Sequence, residues 1–171
     1  NVIGAYLYSS SSNTFSNNTI TANVIGAYLY SSSSNTFSNN TITANVIGAY
    51  LYSSSSNTFS NNNITSINSE GVSLYRGSYN LFSNNSITAS GGFDINTESY
   101  DEFINNSVIT TAGYGYGFRI YLVEASSFID NNISIGGIGL EIAASQSNTF
   151  TNNQIFLSGE EARGFVLYGS S

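Results

Sequence analysis

Residues 1–22 read NVIGAYLYSSSSNTFSNNTITA, and the same 22 residues recur without change at positions 23–44. Residues 45–66 form a third copy that differs only near its end, where TITA is replaced by NITS. A repeat with a period of about 20 to 50 residues is typical of solenoids, propellers and arrays. The rest of the chain is therefore best interpreted in the frame of this repeat.

The repeat continues to the end of the chain, with one phenylalanine marking each copy. Successive markers are separated by 22, 22, 23, 21, 25 and 22 residues. The markers are Phe15, Phe37, Phe59, Phe82, Phe103, Phe128 and Phe150. We expect one domain over 1–171, with three near-identical copies in 1–66 and divergent copies in 67–171. Because the chain opens without a methionine, we also expect it to be a segment of a longer protein.

Each copy predicts three short strands. After a glycine, apolar residues alternate with other residues, which is a strand signature that points Ala5 and Leu7 to one side. Shorter alternations surround Phe15 and Ile20, and corners rich in Ser, Gly and Asn separate them. We expect Ile25 to join these side chains in the interior. One copy buries too little apolar surface to offset the ordering of its backbone, so the copies must stack.

The sequence therefore predicts an all-β fold, a parallel β-helix that forms a single-stranded solenoid. We expect seven to eight coils of about 22 residues, with three short strands in each coil. A leucine-rich repeat has a similar period but requires three leucines and a helical return. A disordered or fibril-like array is the other alternative. Closed coils are favoured because the inward position changes size in concert, with larger residues at Phe93, Phe118 and Phe165 in place of Ala5.

The stretch NTFSNN, residues 13–18, predicts ladders along the axis of the solenoid. If Asn13, Phe15 and Asn17 share one side of a strand, phenylalanine stacks on phenylalanine and amide on amide. We expect Asn18 at the corner, since asparagine tolerates the left-handed backbone conformation. Stacked amides can pair corner groups that would otherwise be buried without partners.

The repeat pattern G-[AVFL]-x-[LI], followed in each copy by N-x-F-x-N-N-x-I, resembles a known family. It is similar to the right-handed parallel β-helix repeats of NosD-like proteins and of the carbohydrate-binding and sugar-hydrolase (CASH) group. The resemblance implies right-handed coils and covers nearly the whole chain. It is less informative about function, because such repeats occur in lyases, hydrolases, adhesins and surface-layer proteins. A copper-associated activity is not carried over, because the chain has no His, Met or Cys.

Composition excludes several classes of function. A net charge of −7 with only three basic residues leaves no cationic surface for nucleic acid or acidic membranes. Without Cys or His there are no thiolate or imidazole ligands, and we predict no metal and no cofactor. No apolar run approaches the ~20 residues of a membrane span. Asn-x-Ser/Thr sequons and the family resemblance lead us to expect an extracellular or cell-surface location.

Alignment of the copies places outward-facing residues in two columns. The first column holds Tyr6, Tyr28, Tyr50, Ser73, Asp94, Arg119, Glu141 and Val166, and the second holds Tyr8, Tyr30, Tyr52, Tyr75, Asn96, Tyr121, Ala143 and Tyr168. Exposed tyrosine rings can stack on flat ligands such as sugars. The candidate ligand-binding residues are Tyr6, Tyr28, Tyr50, Tyr8, Tyr30, Tyr52, Tyr75 and Tyr121. Tyrosine pairs also stabilise sheets by themselves, so a purely structural role is the alternative.

Asp94 and Glu141 are the candidate catalytic carboxylates. They lie two coils apart, which separates their backbones by about 9.6 Å, near the ~6.5–9.5 Å between the carboxyls of inverting glycosidases. Arg119 stands between them and would favour ionisation of both, whereas catalysis needs one neutral acid. An exposed Asp–Arg–Glu ladder is the alternative. The residues favour a role that is not enzymatic.

The remaining features give weaker indications. Asp101 and Asp130 stand where neighbouring copies carry asparagine, and we expect them to accept the same hydrogen bonds. The segment GYGYG, residues 113–117, predicts a longer loop in the 25-residue step. Other acids fall near corners, at Glu98, Glu102, Glu124, Glu160 and Glu161.

The sequence predicts a structural extracellular solenoid, a component of a surface layer, sheath, stalk or filament. Near-identical copies indicate recent tandem duplication, which is tolerated where length is the product. Neither end shows a polar cap, so we expect open coil ends to associate with other copies of the chain. A carbohydrate-binding or adhesive module that uses the tyrosines is one alternative, with a polysaccharide as partner. A polysaccharide hydrolase or lyase that uses Asp94 and Glu141 is another.

Overall fold

The chain runs through three strands in each coil and then pairs, in parallel, with the strands of the coil before it. The computed structural model describes residues 1–170, and within them it contains 22 strands in three parallel sheets and no helix. The predicted parallel β-solenoid of about eight coils, with three strands per coil, is therefore confirmed. None of the described residues forms a helix long and apolar enough to cross a membrane.

Sheet A has eight strands: β1 (Ile3–Tyr8), β4 (Ile25–Tyr30), β7 (Ile47–Tyr52), β10 (Glu70–Tyr75), β13 (Gly91–Asn96), β16 (Tyr116–Tyr121), β19 (Ile138–Ala143) and β22 (Arg163–Tyr168). Sheet B has seven strands: β2 (Thr14–Ser16), β5 (Thr36–Ser38), β8 (Thr58–Ser60), β11 (Leu81–Ser83), β14 (Glu102–Ile104), β17 (Ser127–Ile129) and β20 (Thr149–Thr151). Sheet C also has seven: β3 (Thr19–Ala22), β6 (Thr41–Ala44), β9 (Asn63–Ser66), β12 (Ser86–Ala89), β15 (Ser107–Thr110), β18 (Asn132–Ile135) and β21 (Gln154–Leu157).

The interior is built from rows of equivalent side chains, one from each coil. The marker phenylalanines stack from Phe15 to Phe150 with ring centroids 4.6 to 5.6 Å apart. In the middle coils, Phe93 and Phe118 also stack on each other at 4.6 Å and meet Phe103 edge-on. The predicted phenylalanine column is confirmed, and it forms the continuous centre of one core.

The position predicted for Ile25 is wrong. Ile25 is only half-buried, while Gly26 and Ala27 beside it are both buried. A Cβ on Gly26 would lie 2.3 Å from Cγ2 of Ile42 and 2.5 Å from the carbonyl oxygen of Gly48. Glycine therefore takes an inner place where sheet A approaches sheet C, which interrupts the alternation and moves Ile25 outwards. The buried place on sheet C belongs to Ala22.

The corner residue was also predicted one position too late. Strand β2 ends at Ser16, and Asn17, not Asn18, adopts the left-handed conformation with φ of 56°. Asn17 therefore does not share the side of Phe15. Asp130 occupies the equivalent corner with φ of 55° and is exposed, so it does not enter a ladder as predicted. The corner residues of this kind are Asn17, Asn39, Asn61, Asn84, Asn105, Asp130 and Asn152.

Buried asparagines form the predicted amide ladders. Asn62 donates from Nδ2 to the Phe37 carbonyl at 2.9 Å and to Oδ1 of Asn85 at 3.0 Å. Its own Oδ1 accepts from the backbone N and Nδ2 of Asn40. All its side-chain polar atoms are thus paired, as buried amides require. The ladder runs through Asn18, Asn40, Asn62, Asn85, Asn106, Asn131 and Asn153.

A second ladder runs along the corner between sheets A and B. In it each backbone N–H donates to a side-chain oxygen of the next coil, and the members are Asn13, Asn35, Asn57, Asn80, Asp101, Ser126 and Asn148. The expectation for Asp101 is confirmed, because its Oδ1 accepts from the Asn80 N at 2.7 Å. The ladders hold successive coils in register, and this register determines which side chains meet on the outer faces.

Candidate functional site

The outer face of sheet A carries both predicted columns in the expected register. In the first three coils the tyrosines stack along the axis, with centroids 5.2 Å apart from Tyr6 to Tyr28 and from Tyr28 to Tyr50. The second column stacks in the same way from Tyr8 to Tyr75, with spacings of 5.2 to 5.4 Å. We call these seven residues the tyrosine strip: Tyr6, Tyr28, Tyr50, Tyr8, Tyr30, Tyr52 and Tyr75.

Stacking determines what the tyrosine strip can bind. Tyr28 lies between Tyr6 and Tyr50, so both faces of its ring are covered and only its edge and hydroxyl reach solvent. Burial, followed by the neighbouring phenols of Tyr6, Tyr30 and Tyr52, raises the pKa of Tyr28, so its hydroxyl keeps its proton at neutral pH. A sugar ring that docks by stacking needs a free aromatic face. Within the strip the tyrosine rings stack on one another and leave few free faces for a ligand. This favours the structural interpretation of these residues.

Tyr121 has different surroundings. Its neighbours along the column are Asn96 and Ala143, which carry no ring. It lines a depression of about 250 Å³ together with Asp94, Arg119 and Glu141. The side chain is 44% exposed, and no aromatic ring of the described residues stacks on it. Among the predicted tyrosines, Tyr121 thus has the geometry of a stacking platform beside polar groups.

Asp94 and Arg119 form the one ion pair found within residues 1–170. Arg119 donates from Nε to Oδ1 at 3.0 Å and from Nη2 to Oδ2 at 2.7 Å, which is a two-pronged contact. These hydrogen bonds raise the pKa of Arg119 above its already high value. Glu141 lies next to Arg119 in register but makes no salt bridge with it. The Asp–Arg–Glu column thus contains an Asp–Arg pair with an unpaired neighbour.

This geometry bears on the catalytic interpretation. Both carboxylate oxygens of Asp94 accept hydrogen bonds from Arg119, so the contact with the guanidinium already occupies both of them. A general acid at this site would have to be neutral before it could donate a proton. The arrangement therefore suits ligand binding or a structural ladder better than acid catalysis. In the described part of the chain, no group of three acidic side chains converges as a metal site would require.

Sequence reasoning missed a network that supports Arg119 from below. The guanidinium lies 4.4 Å from the ring centroid of Tyr116, and the Tyr116 hydroxyl donates to Glu70 at 2.6 Å. Glu70 sits two coils away, and the ring passes over Gly91, where a Cβ would lie 3.1 Å from Tyr116 Cζ. Burial alone would raise the pKa of Glu70, but hydrogen bonds from Ser69 and Tyr116 lower it. The signal in the sequence was Gly91, which lies between Glu70 and Tyr116 in the stacked coils and leaves room for the tyrosine ring.

A second groove lies at the loops that follow sheet C. It has a volume of about 680 Å³ and is lined by residues 110–114 on one side, residues 158–161 on the other and Gly136 between them. Tyr114 is almost fully exposed at the loop tip. The predicted loop at 113–117 is only partly right, because strand β16 already begins at Tyr116.

Comparison with protein families matches the chain to the family described as right handed beta helix region, over residues 1–49 and 26–171. Among solved structures, the mannuronan C-5 epimerase AlgE4 A-module of Azotobacter vinelandii aligns with 90% of this chain at 14% identity and a TM-score of 0.48. The chain spans only 57% of that module. QnrB1, a plasmid-mediated fluoroquinolone resistance protein, aligns over 92% of this chain and 90% of its own, at 14% identity and a TM-score of 0.30. The search of curated proteins finds no match.

Proposed function

The chain belongs to the right-handed β-helix family, and on that premise we propose that it is a structural protein of the cell exterior. In this role it is a rigid rod within a surface layer, sheath, stalk or filament, built from coils of the NosD-like and CASH type. The observation that carries the proposal is the continuity of the asparagine ladder, which repeats the same hydrogen bonds from Asn18 to Asn153.

The side chains that a recognition site would use are mostly engaged in stacking. Asn62 is representative of the buried amides, because each of its side-chain polar atoms pairs with a neighbouring coil. Tyr28 covers its neighbours with both ring faces, and Asp94 is held by Arg119. A molecule whose polar and aromatic groups mainly join one coil to the next is suited to be a long, stiff rod.

Removal of one coil tests the structural role. Deletion of residues 23–44 joins Ala22 to Asn45, which recreates the natural junction without a scar because the two copies are identical. We expect the variant to fold and to be shorter along its axis by about 4.8 Å, one strand spacing. Deletion of residues 23–33 is the matched control, because it removes half a coil and should prevent folding. Small-angle X-ray scattering measures the length, and loss of folding in both variants would count against the proposal.

The open face of the last coil is suited to end-to-end association with a second copy of the chain. On β22, the inward side chains Phe165 and Leu167 are 58% and 62% exposed, because no coil within residues 1–170 covers them. A coil from a second copy laid on β22 would bury both and continue the parallel pairing. Sedimentation velocity over a range of concentrations tests this association, with Phe165→Ser plus Leu167→Ser as the control. An increase of the sedimentation coefficient with concentration in the parent chain, but not in the control, supports assembly. A parent chain that stays a monodisperse monomer would show that the ends do not associate.

A carbohydrate-binding or adhesive module is the second candidate function, favoured by the free ring of Tyr121 beside the Asp94–Arg119 pair. Sugar recognition typically combines an aromatic platform with a few polar groups at its edge. Glycan-array binding that is lost in Tyr121→Ala but retained in Tyr28→Ala would favour this function. Loss in Tyr28→Ala alone would place recognition on the tyrosine strip, equal loss in both variants would mean that the glycan contacts both surfaces, and no binding by the parent chain would leave the structural role alone.

A further inference from the structure

The fifth coil, β13 to β15, carries acids at two inner positions of the corner between sheets A and B. In the first three coils one of these positions is a serine, such as Ser54, whose Oγ accepts from the Ser32 N at 2.9 Å. In the fifth coil Glu98 takes this place and accepts from the Gly77 N. The other position belongs to the second asparagine ladder and is Asp101. Two neutral ladder residues are thus replaced by two carboxyls in the same turn.

Both carboxyls are excluded from solvent, with Glu98 3% and Asp101 1% exposed. Oε1 of Glu98 accepts from the Gly77 N at 2.5 Å, and Oε2 accepts from Nδ2 of Asn80 at 3.4 Å. Oδ1 of Asp101 accepts from the Asn80 N at 2.7 Å. Oδ2 of Asp101 is buried and has no hydrogen-bond partner among the described residues. One buried carboxylate oxygen therefore has no hydrogen-bond donor.

The ladder explains why this oxygen is exceptional. In the second and seventh coils the corresponding atom is Nδ2 of asparagine, which donates to a carbonyl of the preceding coil: Asn35 donates to Ser10 at 3.0 Å and Asn148 to Val123 at 2.9 Å. Aspartate places an acceptor where a donor is required. A buried acceptor without a donor, next to a second carboxyl, is unfavourable unless one of the two acids keeps its proton.

No buried base balances the pair. The titratable side chains on the neighbouring segments are Arg76 and Tyr79 from the fourth coil, Tyr100 and Glu102 from the fifth, and Glu124 from the sixth. All five are exposed, so they are screened by water. Arg76 lies over the ring of Tyr75. Charge compensation must therefore come from within the pair or from a bound cation.

We propose that Glu98 and Asp101 share one proton at neutral pH, with the protonated carboxyl of Glu98 donating to Oδ2 of Asp101. The pair stabilises the packing of the fifth coil on the fourth in a pH-dependent way. The shared proton supplies the donor that the ladder lacks at this position. Above the range in which the proton is held, two adjacent buried carboxylates oppose the packing of the fourth coil on the fifth.

The titration of the pair has a definite sign. Burial, together with the neighbouring Asp101, raises the pKa of Glu98 from 4.5 to about 10, and burial raises that of Asp101 from 3.8 to about 6. For acids whose pKa is raised by folding, the stabilisation is fully present below the unfolded pKa and is lost as pH rises to the folded pKa. Between pH 6 and 10 the folded chain therefore holds one proton more than the unfolded chain. Each added pH unit increases the unfolding equilibrium constant about tenfold.

Urea unfolding between pH 6 and 9 tests the proposal. We expect the tenfold increase per pH unit in the parent chain and no increase in Glu98→Gln, because glutamine supplies a permanent N–H for Asp101 and keeps an oxygen for Gly77. Glu102→Gln, an exposed neighbour, is the matched control and should retain the parent slope. A flat profile in the parent chain, or the same slope in Glu98→Gln, would overturn the proposal.

Two further measurements separate a proton from a metal ion. At pH 7.5 the infrared spectrum of the parent chain should contain the C=O band of a protonated carboxylic acid that is missing from Glu98→Gln; its absence from the parent would contradict proton sharing. Unfolding at pH 8 is then compared in calcium chloride and in sodium chloride of equal ionic strength. Equal responses of the parent and Glu98→Gln support the proton, whereas stabilisation by calcium in the parent alone would assign the site to a cation.

Discussion

Coils within residues 1–66 and coils within 67–171 share one frame but differ in charge. All three basic and all ten acidic residues lie in 67–171, and 1–66 carries no charged side chain. In-register stacking places each residue about 4.8 Å from its own copy. That arrangement is favourable for Asn, Tyr and Phe but repulsive for like charges directly opposite each other. A coil can therefore be duplicated without change only while it is neutral.

The divergent coils show how charge is admitted. Asp94 is followed in its column by Arg119, so that opposite signs meet. Where two acids meet in one coil, as at Glu98 and Asp101, burial raises the pKa of both. The asparagine ladder from Asn18 to Asn153 continues through both regions with the same hydrogen bonds. The frame thus depends on the ladder residues, while the outward columns are free to vary once the copies diverge.

The largest effect is expected from the asparagine ladder, and it should be equal in the two regions. Asn62→Ala and Asn106→Ala each remove a buried amide that donates to a phenylalanine carbonyl and to the next asparagine. Because several buried groups lose their partners, we expect each variant to lose about 3–5 kcal/mol of unfolding free energy. Asn61→Gly, at an exposed left-handed corner, should change little. Urea unfolding measures the stability of all three variants. A large difference between the losses in Asn62→Ala and Asn106→Ala would contradict a ladder that is equivalent in the two regions.

The inward glycines provide the second comparison. A Cβ on Gly48 would lie 2.3 Å from Ile64 Cγ2, and one on Gly117 would lie 2.4 Å from Ile133 Cγ2. We therefore expect Gly48→Ala and Gly117→Ala to destabilise the chain by about 1–3 kcal/mol. Gly164 occupies the same column, yet a Cβ there meets nothing within 4 Å. Gly164→Ala is thus the control, and thermal unfolding that ranks it with the other two would contradict the packing described.

The smallest effect sharpens the argument about charge. Tyr28 and Tyr50 are directly opposite each other in register. We expect Tyr28→Glu plus Tyr50→Glu to be less stable than Tyr28→Arg plus Tyr50→Glu by about 0.5–1 kcal/mol. The difference should shrink in high salt, since screening weakens exposed charges. Equal stability of the two double variants at low salt would show that charge does not limit duplication.

Most of the frame could be predicted from the sequence because side-chain period and repeat length are steric properties. The marker phenylalanines and the two outward columns follow directly from that register. The corner at Asn17 was misplaced because β2 has only three residues, too few for alternation to show where the strand ends. The inward turn of Gly26 depends on contact with Ile42 from another sheet, which no local pattern contains.

The sites were less accessible to sequence reasoning for a similar reason. Glu98 and Asp101 stood at corners, where polar residues are normally exposed, and only the ladder geometry shows that these corner positions point inwards. The contact between Tyr116 and Glu70 skips a whole coil over Gly91, so it joins residues that are not neighbours in register. Tyr121 differs from the tyrosine strip only through the small residues beside it.

The central claim is that each repeat makes one turn and lies directly on the turn before it. The chain has no cysteine, so engineered pairs can report this without interference. Thr21→Cys with Thr43→Cys joins partners in adjacent coils, and Thr21→Cys with Thr65→Cys spans two coils. Adjacent strands lie about 4.8 Å apart, within reach of a disulfide, whereas two coils span about 9.6 Å. Mild oxidation should cross-link the first pair and not the second; equal cross-linking of both, or of neither, would contradict the stacked coil.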